Sequence, residues 1–313
     1  MKRNVMQVQK LLLTSLAVFG SLSLTLSAEL RAEQNVQAQI MAKVAADNAL
    51  KNPDEWRTVD INNMVLLTLP HGKVVIELAP QFSPKHVEQF IRLTKASHYD
   101  GNKFYRVIDG FVAQAGPEDG SLADRSVTAL ALEGEWPTDK DWSFTLVQKN
   151  DLFAEQTGFK DGFSLGYSPS ENRAWLTHCP GVVAMARGNE ADSASSHFYI
   201  TNGQAPRYLD RIMTIFGRVI YGMNHVQAIT RTTSIEGETA VGRSAHTPII
   251  SMKMMADVPL AGQIQLEVKN TESKLFAKKL TERIERDNAF FFKQPPPVLD
   301  VCQTPVVTRI KAS

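Results

Sequence analysis

Residues 103–116 read Lys103-Phe104-Tyr105-Arg106-Val107-Ile108-Asp109-Gly110-Phe111-Val112-Ala113-Gln114-Ala115-Gly116. Apolar residues alternate around a single arginine, Asp109-Gly110 interrupts the run, and a second apolar run carries one glutamine. The pattern predicts strand, tight bend, strand. It also sets a permanent cation and an amide among hydrophobic side chains, which costs free energy unless something satisfies them. Residues 181–201 repeat this mix of strand pattern and isolated polar side chains.

The flanking sequence gives the frame. Residues 64–69 and 73–78 are strand-like runs around Pro70-His71-Gly72, a hairpin signal. Ser83-Pro84 opens a helix, Ser as N-cap and Pro at the first helical position, with Val87, Phe90 and Ile91 on one face. Tyr99-Asp100-Gly101-Asn102 is a turn into the opening stretch. Further strand patterns fall at 181–185, 197–201, 214–220 and 249–254. Residues 118–178 are too aromatic to be disordered, and turn residues such as Asp161-Gly162 and Ser168-Pro169 make them a folded, loop-rich insertion. Residues 270–292 carry Leu275, Phe276, Leu280 and Ile284 at helical spacing, and Pro295-Pro296-Pro297 stops any helix before an extended tail. There is no internal repeat and no phosphate-binding glycine loop.

At 313 residues the chain holds one large domain or two small ones. Its N-terminus is a different object. Lys2, Arg3 and Lys10 precede an uncharged, Leu-rich run of 16 residues at 11–26, and small residues lead to Ala28. That is a secretory signal peptide over 1–28, cleaved after Ala28 or Ala32, with an uncleaved anchor as the alternative. The run is shorter than the ~20 residues a membrane span needs. Cleavage after Ala28 leaves 31 Lys+Arg against 33 Asp+Glu, a net charge of −2, so nothing points to nucleic acid or anionic lipid as a main partner. In an oxidising compartment Cys179 and Cys302 either pair, closing a loop of more than a hundred residues, or stay as buried free thiols. The expected organisation is signal peptide 1–28, N-terminal arm 29–58, main domain 59–256 with its insertion at 118–178, and C-terminal extension 257–313.

Phe104-Tyr-Arg-Val-Ile-Asp-Gly-Phe-Val-Ala-Gln-Ala-Gly116 resembles the cyclophilin signature Phe-His-Arg-x-Ile-x-Gly-Phe-x-x-Gln-Gly-Gly. Gly181-Val-Val-Ala-Met-Ala186 and Ser196-His-Phe-Tyr-Ile200 are similar to the second block of that family, and Leu209-Asp210, Ile215-Phe216-Gly217 and Gly222-Met223 to the third. The resemblance covers about residues 60–255 with every motif in order, and the surroundings of Cys179 and Cys302 look like a longer, exported bacterial subgroup. It implies a mainly β fold: a closed eight-stranded antiparallel barrel with two capping helices, the loop-rich insertion and a C-terminal helical extension. It also implies a periplasmic peptidyl-prolyl cis-trans isomerase acting on proline-containing polypeptides as a monomer, off the membrane once the signal is removed. No metal or other cofactor is required.

The roles implied follow the motif positions. Arg106 matches the arginine that donates to the prolyl nitrogen, and Gln114 the glutamine that holds it. Phe111, Val112, Tyr199 and Leu209 match the walls of a proline pocket, and Ala186 and Arg187 the main chain that pairs with the peptide. His197 stands for a glutamine, Tyr105 for a histidine, Ala115 for a glycine, Tyr199 for a phenylalanine, Tyr208 for a tryptophan and Met213 for a pocket histidine. Taken singly these residues are bland: Arg106 alone reads as a salt-bridged strand residue, Gln114 as a satisfied amide, Phe111 and Tyr199 as core aromatics, and His197 as a surface histidine. The family spacing that links them favours a proline site. The rival from another class is a non-catalytic proline-peptide-binding or chaperone module of the cell envelope.

Overall fold

Strand β1 (Trp56–Thr58) precedes a hairpin of β2 (Met64–Leu69) and β3 (Gly72–Leu78), closed by the two residues Pro70-His71. This computed structural model describes residues 55–117, 124, 126–204, 206–234 and 241–311. The signal-peptide reading and most of the N-terminal arm lie outside the described residues. Gly72 sits at φ +155°, and a Cβ there would lie 2.2 Å from the ring of His225, so the turn tolerates no side chain.

Helix α1 (Pro84–Lys95) begins where Ser83-Pro84 predicts, but Ser83 does not cap it. Its hydroxyl donates to the carbonyl of Ile215 at 2.8 Å. The free amides of Lys85 and His86 are taken instead by the carboxylate of Glu133, at 3.2 and 3.0 Å. An acid from 47 positions downstream does the work of a local cap and also meets the positive end of the helix. Val87, Phe90 and Leu93 then face the core.

The chain continues through β4 (Lys103–Val107) and β5 (Val112–Gly116). Five strands follow: β6 (Trp136–Pro137), β7 (Thr145–Lys149), β8 (Gln156–Lys160), β9 (Phe163–Ser168) and β10 (Arg173–Leu176). After them come β11 (Val182–Met185), β12 (Phe198–Thr201), β13 (Ile215–Tyr221), α2 (Met223–Gln227) and β14 (Ser251–Met254). The C-terminal part adds β15 (Leu266–Lys269), α3 (Lys274–Glu285) and β16 (Thr308–Ile310).

Eight of these strands form one antiparallel sheet in the order β14-β2-β3-β13-β11-β12-β5-β4. Its two edges meet just ahead of β14: the amide of Ile249 donates to Asn102 at 2.7 Å, and that of Phe104 to Thr247 at 3.0 Å. The expected barrel is therefore closed by a short bridge rather than by a full ladder. Side chains alternate across it. Val65, Leu67, Val74, Ile76, Ala113, Ala115, Phe198 and Ile200 fill the interior with Phe90 and Phe216. Val112, Ala184, Ala186 and Tyr199 lie on the opposite face, in a second cluster with Phe82, Phe159, Phe163, Phe276, Leu299 and Val301.

The insertion contains more regular structure than its turn residues suggest, a five-stranded sheet in the order β6-β10-β9-β8-β7. Asp161-Gly162, both at positive φ, make the two-residue turn between β8 and β9. A Cβ on Gly166 would lie 2.5 Å from the indole of Trp175, its partner across the β9–β10 ladder, so the glycine leaves room for that ring. The C-terminal extension also differs from a helix with a loose tail. Its strands join β1 in a sheet ordered β1-β15-β16. Its helix stops at Glu285, where Arg286 turns left-handed and bonds the carbonyls of Pro296 and Val298. Among the described residues no helix is long and apolar enough to cross a membrane.

Cys179 and Cys302 are disulfide-bonded, S–S 2.05 Å, across 123 positions. The bridge fastens Leu299 and Val301 against the outer-face cluster. Cys179→Ser/Cys302→Ser should lower the unfolding free energy by about 2–5 kcal/mol in denaturant titration. An unchanged midpoint would mean that the tail is held without it.

Candidate active site

The pairing of β4 with β5 slips between Phe104 and Arg106. Phe104 and Val107, three positions apart, both face the barrel interior. Strict alternation would put Arg106 inside with Phe104; the bulge at Tyr105 turns it to the outer face, opposite Gln114. Arg106 Nη1 donates to Gln114 Oε1 at 3.3 Å, and its guanidinium carbon lies 5.8 Å from the centre of the Phe111 ring. No carboxylate pairs with Arg106 among the described residues.

Gln114 is held in turn. Its Nε2 donates to the Tyr105 hydroxyl at 2.6 Å, which leaves that hydroxyl to donate to His197 Nδ1 at 2.8 Å. Gly116 makes room for this: a Cβ there would lie 2.6 Å from His197 Nδ1. His197 is buried and supports the glutamine from behind.

Arg106, Phe111, Val112, Gln114, Ala186, Arg187, Tyr199, Leu209 and Met213 line one cleft of about 250 Å³. Nine of the eleven singled-out site positions thus converge on it. The other two stand beside it: His197 behind Gln114, and Tyr208, 65 % exposed, on the short turn Arg207–Leu209.

Tyr199 places a phenol in the apolar wall, and a buried hydroxyl needs a partner. The partner is His178, whose Nε2 lies 2.9 Å from the Tyr199 hydroxyl. His178 Nδ1 lies 2.9 Å from Asp210 Oδ1, whose oxygen also accepts the His178 amide at 2.8 Å. Asp210 Oδ2 accepts Arg207 Nε at 2.5 Å, and Arg207 reaches Asp151 of the insertion at 3.1 Å. Burial, with a smaller push from Asp210, raises the Tyr199 phenol far above its ordinary value, so it stays a neutral hydroxyl. Of these supporting residues the sequence reading has only Asp210, as part of a motif. His178, Arg207 and Asp151 lie up to 56 positions from their partners, and no local pattern announces the pairing.

The comparisons with known proteins identify the family. Residues 64–254 match the family model described as cyclophilin type peptidyl-prolyl cis-trans isomerase/CLD. The chain belongs to that family. A probable peptidyl-prolyl cis-trans isomerase of Brucella suis is 32 % identical over 180 residues, which is 56 % of this chain and 76 % of that protein. Isomerase CYP57 of Arabidopsis thaliana is 30 % identical over half of this chain and 24 % of its own length. Among solved structures, cyclophilin AquaCyp293 from Hirschia baltica superposes with a TM-score of 0.67 at 29 % identity. It covers 84 % of this chain and 96 % of its own, so the likeness extends beyond the residues that the family model matches. This cyclophilin is a peptidyl-prolyl cis-trans isomerase by family.

The relay behind Tyr199 generates a prediction. In Asp210→Ala, Arg207 and His178 lose a buried acceptor, and removing one member of a buried ion pair costs about 3–5 kcal/mol. Urea unfolding should show a loss of that order. A change below about 1 kcal/mol would mean that Asp151 alone satisfies Arg207.

Proposed function

We propose that this cyclophilin accelerates X–Pro isomerisation in exported proteins, with Arg106 donating to the prolyl nitrogen of the twisted transition state. The planar amide is held by resonance, which sets a barrier of about 18–20 kcal/mol. Rotation by a right angle breaks the resonance and localises the lone pair on nitrogen. A donor aimed there favours the twisted form over both planar forms, so it lowers the barrier instead of tightening binding. About 7 kcal/mol of such preference corresponds to roughly five orders of magnitude in rate.

The observation that carries the reading is the position of Arg106: in a cleft with the apolar walls Phe111, Val112, Leu209 and Met213, anchored by an amide. The walls suit a pyrrolidine ring, and Gln114 keeps the guanidinium in register with it. Phe111 covers one side of the cation, which limits its rotamers and its hydration. The proline-containing polypeptide is the only reactant needed.

The exported, periplasmic setting rests on the basic and then apolar N-terminus and is favoured by the Cys179–Cys302 bridge. Disulfides persist in oxidising compartments and are rare in the cytosol.

A prolyl-peptide isomerisation assay tests the mechanism. Wild type should outrun the spontaneous reaction, and Arg106→Ala should lose about 10²–10³-fold in kcat/KM, the usual effect of removing one preorganised donor. Arg106→Lys keeps the charge but loses the planar fork, and should recover only part of the rate. A wild type no faster than the uncatalysed reaction would leave the binding module as the better description.

A further inference from the structure

We infer that the cleft selects prolyl segments that carry an aspartate or glutamate beside the proline, and that Arg187 is the residue that reads this carboxylate. The inference deepens the isomerase reading above and rests on it.

The charge of the lining is one-sided. Two arginines, Arg106 and Arg187, line the cleft, and no aspartate or glutamate among the described residues does. Arg106 has its own partner in Gln114. Arg187 is held at more points. Its Nε donates to the carbonyl of Ile212 at 3.0 Å, and its Nη1 to those of Gly188 and Asn189 at 2.8 and 3.1 Å. Three carbonyls therefore fix the side chain while leaving its charge unneutralised. Its Nη2 makes no hydrogen bond to any described residue, and Arg187 forms no ion pair among them.

Nearby acids are otherwise engaged or turned away. Asp210 is occupied by Arg207 and His178. Asp192, on the same loop as Arg187, accepts the amide of Leu132 at 2.9 Å. Glu190 is exposed and lies outside the lining.

A cation held in advance loses little conformational freedom when a ligand arrives. A carboxylate is the group that meets a free guanidinium donor with a charge-assisted bond. Ala186 and Arg187 continue directly from β11 into the cleft wall, so the segment reached is the one next to the proline and not a distant part of the substrate. A lysine in the same place would meet two like charges.

Exchange NMR on proline peptides tests this with the full chain as catalyst. The series carries Glu, Gln, Ala or Lys immediately before the proline, and the same four immediately after it. Glu should exceed its neutral isostere Gln by about fivefold in kcat/KM at one of the two positions, equivalent to ~1 kcal/mol at 1.4 kcal/mol per tenfold. Lys should fall below Gln, and the spread should shrink as salt is raised toward about 0.5 M. In Arg187→Gln the Glu-to-Gln ratio should approach one whatever the absolute rate, and Arg187→Lys should keep part of it. Rates for Glu and Gln within twofold at both positions in wild type would overturn the inference. So would a preference that survives in Arg187→Gln. Failure to accelerate any peptide would instead remove the isomerase reading, and this inference with it.

Discussion

One irregularity in one ladder decides where the charge of this protein sits. Period-two alternation from Phe104 would turn Arg106 into the barrel, among Phe90, Phe198 and Ile200. An unpaired guanidinium there would lose its hydration with no acceptor to replace it, at a cost of several kcal/mol. The bulge at Tyr105 avoids this by letting Phe104 and Val107 both stay inside while Arg106 turns out. It also gives the bulged residue a use, because the Tyr105 hydroxyl takes the glutamine that steadies the arginine. Register, cation and relay are thus consequences of a single extra residue in β4.

The outer face of the barrel is backed by the rest of the chain. Phe159 and Phe163 of the insertion and Leu299 and Val301 of the tail share an apolar cluster with Val112, Ala184 and Tyr199. The disulfide joins the tail to the loop that carries His178, and Arg207 ties the turn bearing Leu209 to Asp151. The insertion and tail therefore back the cleft without lining it. A phenol is tolerated in the cleft wall because the same packing supplies its partner, His178.

The strands are legible because their side chains alternate, and the residues of the candidate cleft because they stand at family spacing. The turns Asp109-Gly110 and Asp161-Gly162 announced themselves through residues that accept positive φ. The misses have a common physical cause. The bulge is marked only by the odd spacing of Phe104 and Val107 around Arg106, which fixes neither its existence nor its place. Ser83 looks like a cap, yet the helix is capped by Glu133, and nothing within reach in sequence could show that. The strands of the insertion were hidden because aromatic residues and glycines recur in them as they do in loops. The buried pairing of His178 with Asp210, 32 positions apart, is a property of the folded chain only.

Two arginines a short distance apart in the fold illustrate what the site requires. Arg207 is held by two carboxylates, those of Asp210 and Asp151, and its charge is balanced where it lies. Such an arginine braces a turn but has little field left for a ligand. Arg106 is held by the neutral carbonyl of Gln114 and bordered by the face of Phe111. An amide holds a guanidinium less tightly than a carboxylate does, but it leaves the positive charge uncancelled. In a cleft with apolar walls that charge acts at a lower effective dielectric than in water, so it is felt by whatever lone pair is brought beside it. A planar prolyl amide offers almost none at nitrogen, whereas the half-rotated one offers a full pair. Under the mechanism proposed for Arg106, glutamine rather than an acid as its partner leaves the charge available to discriminate between ground state and transition state.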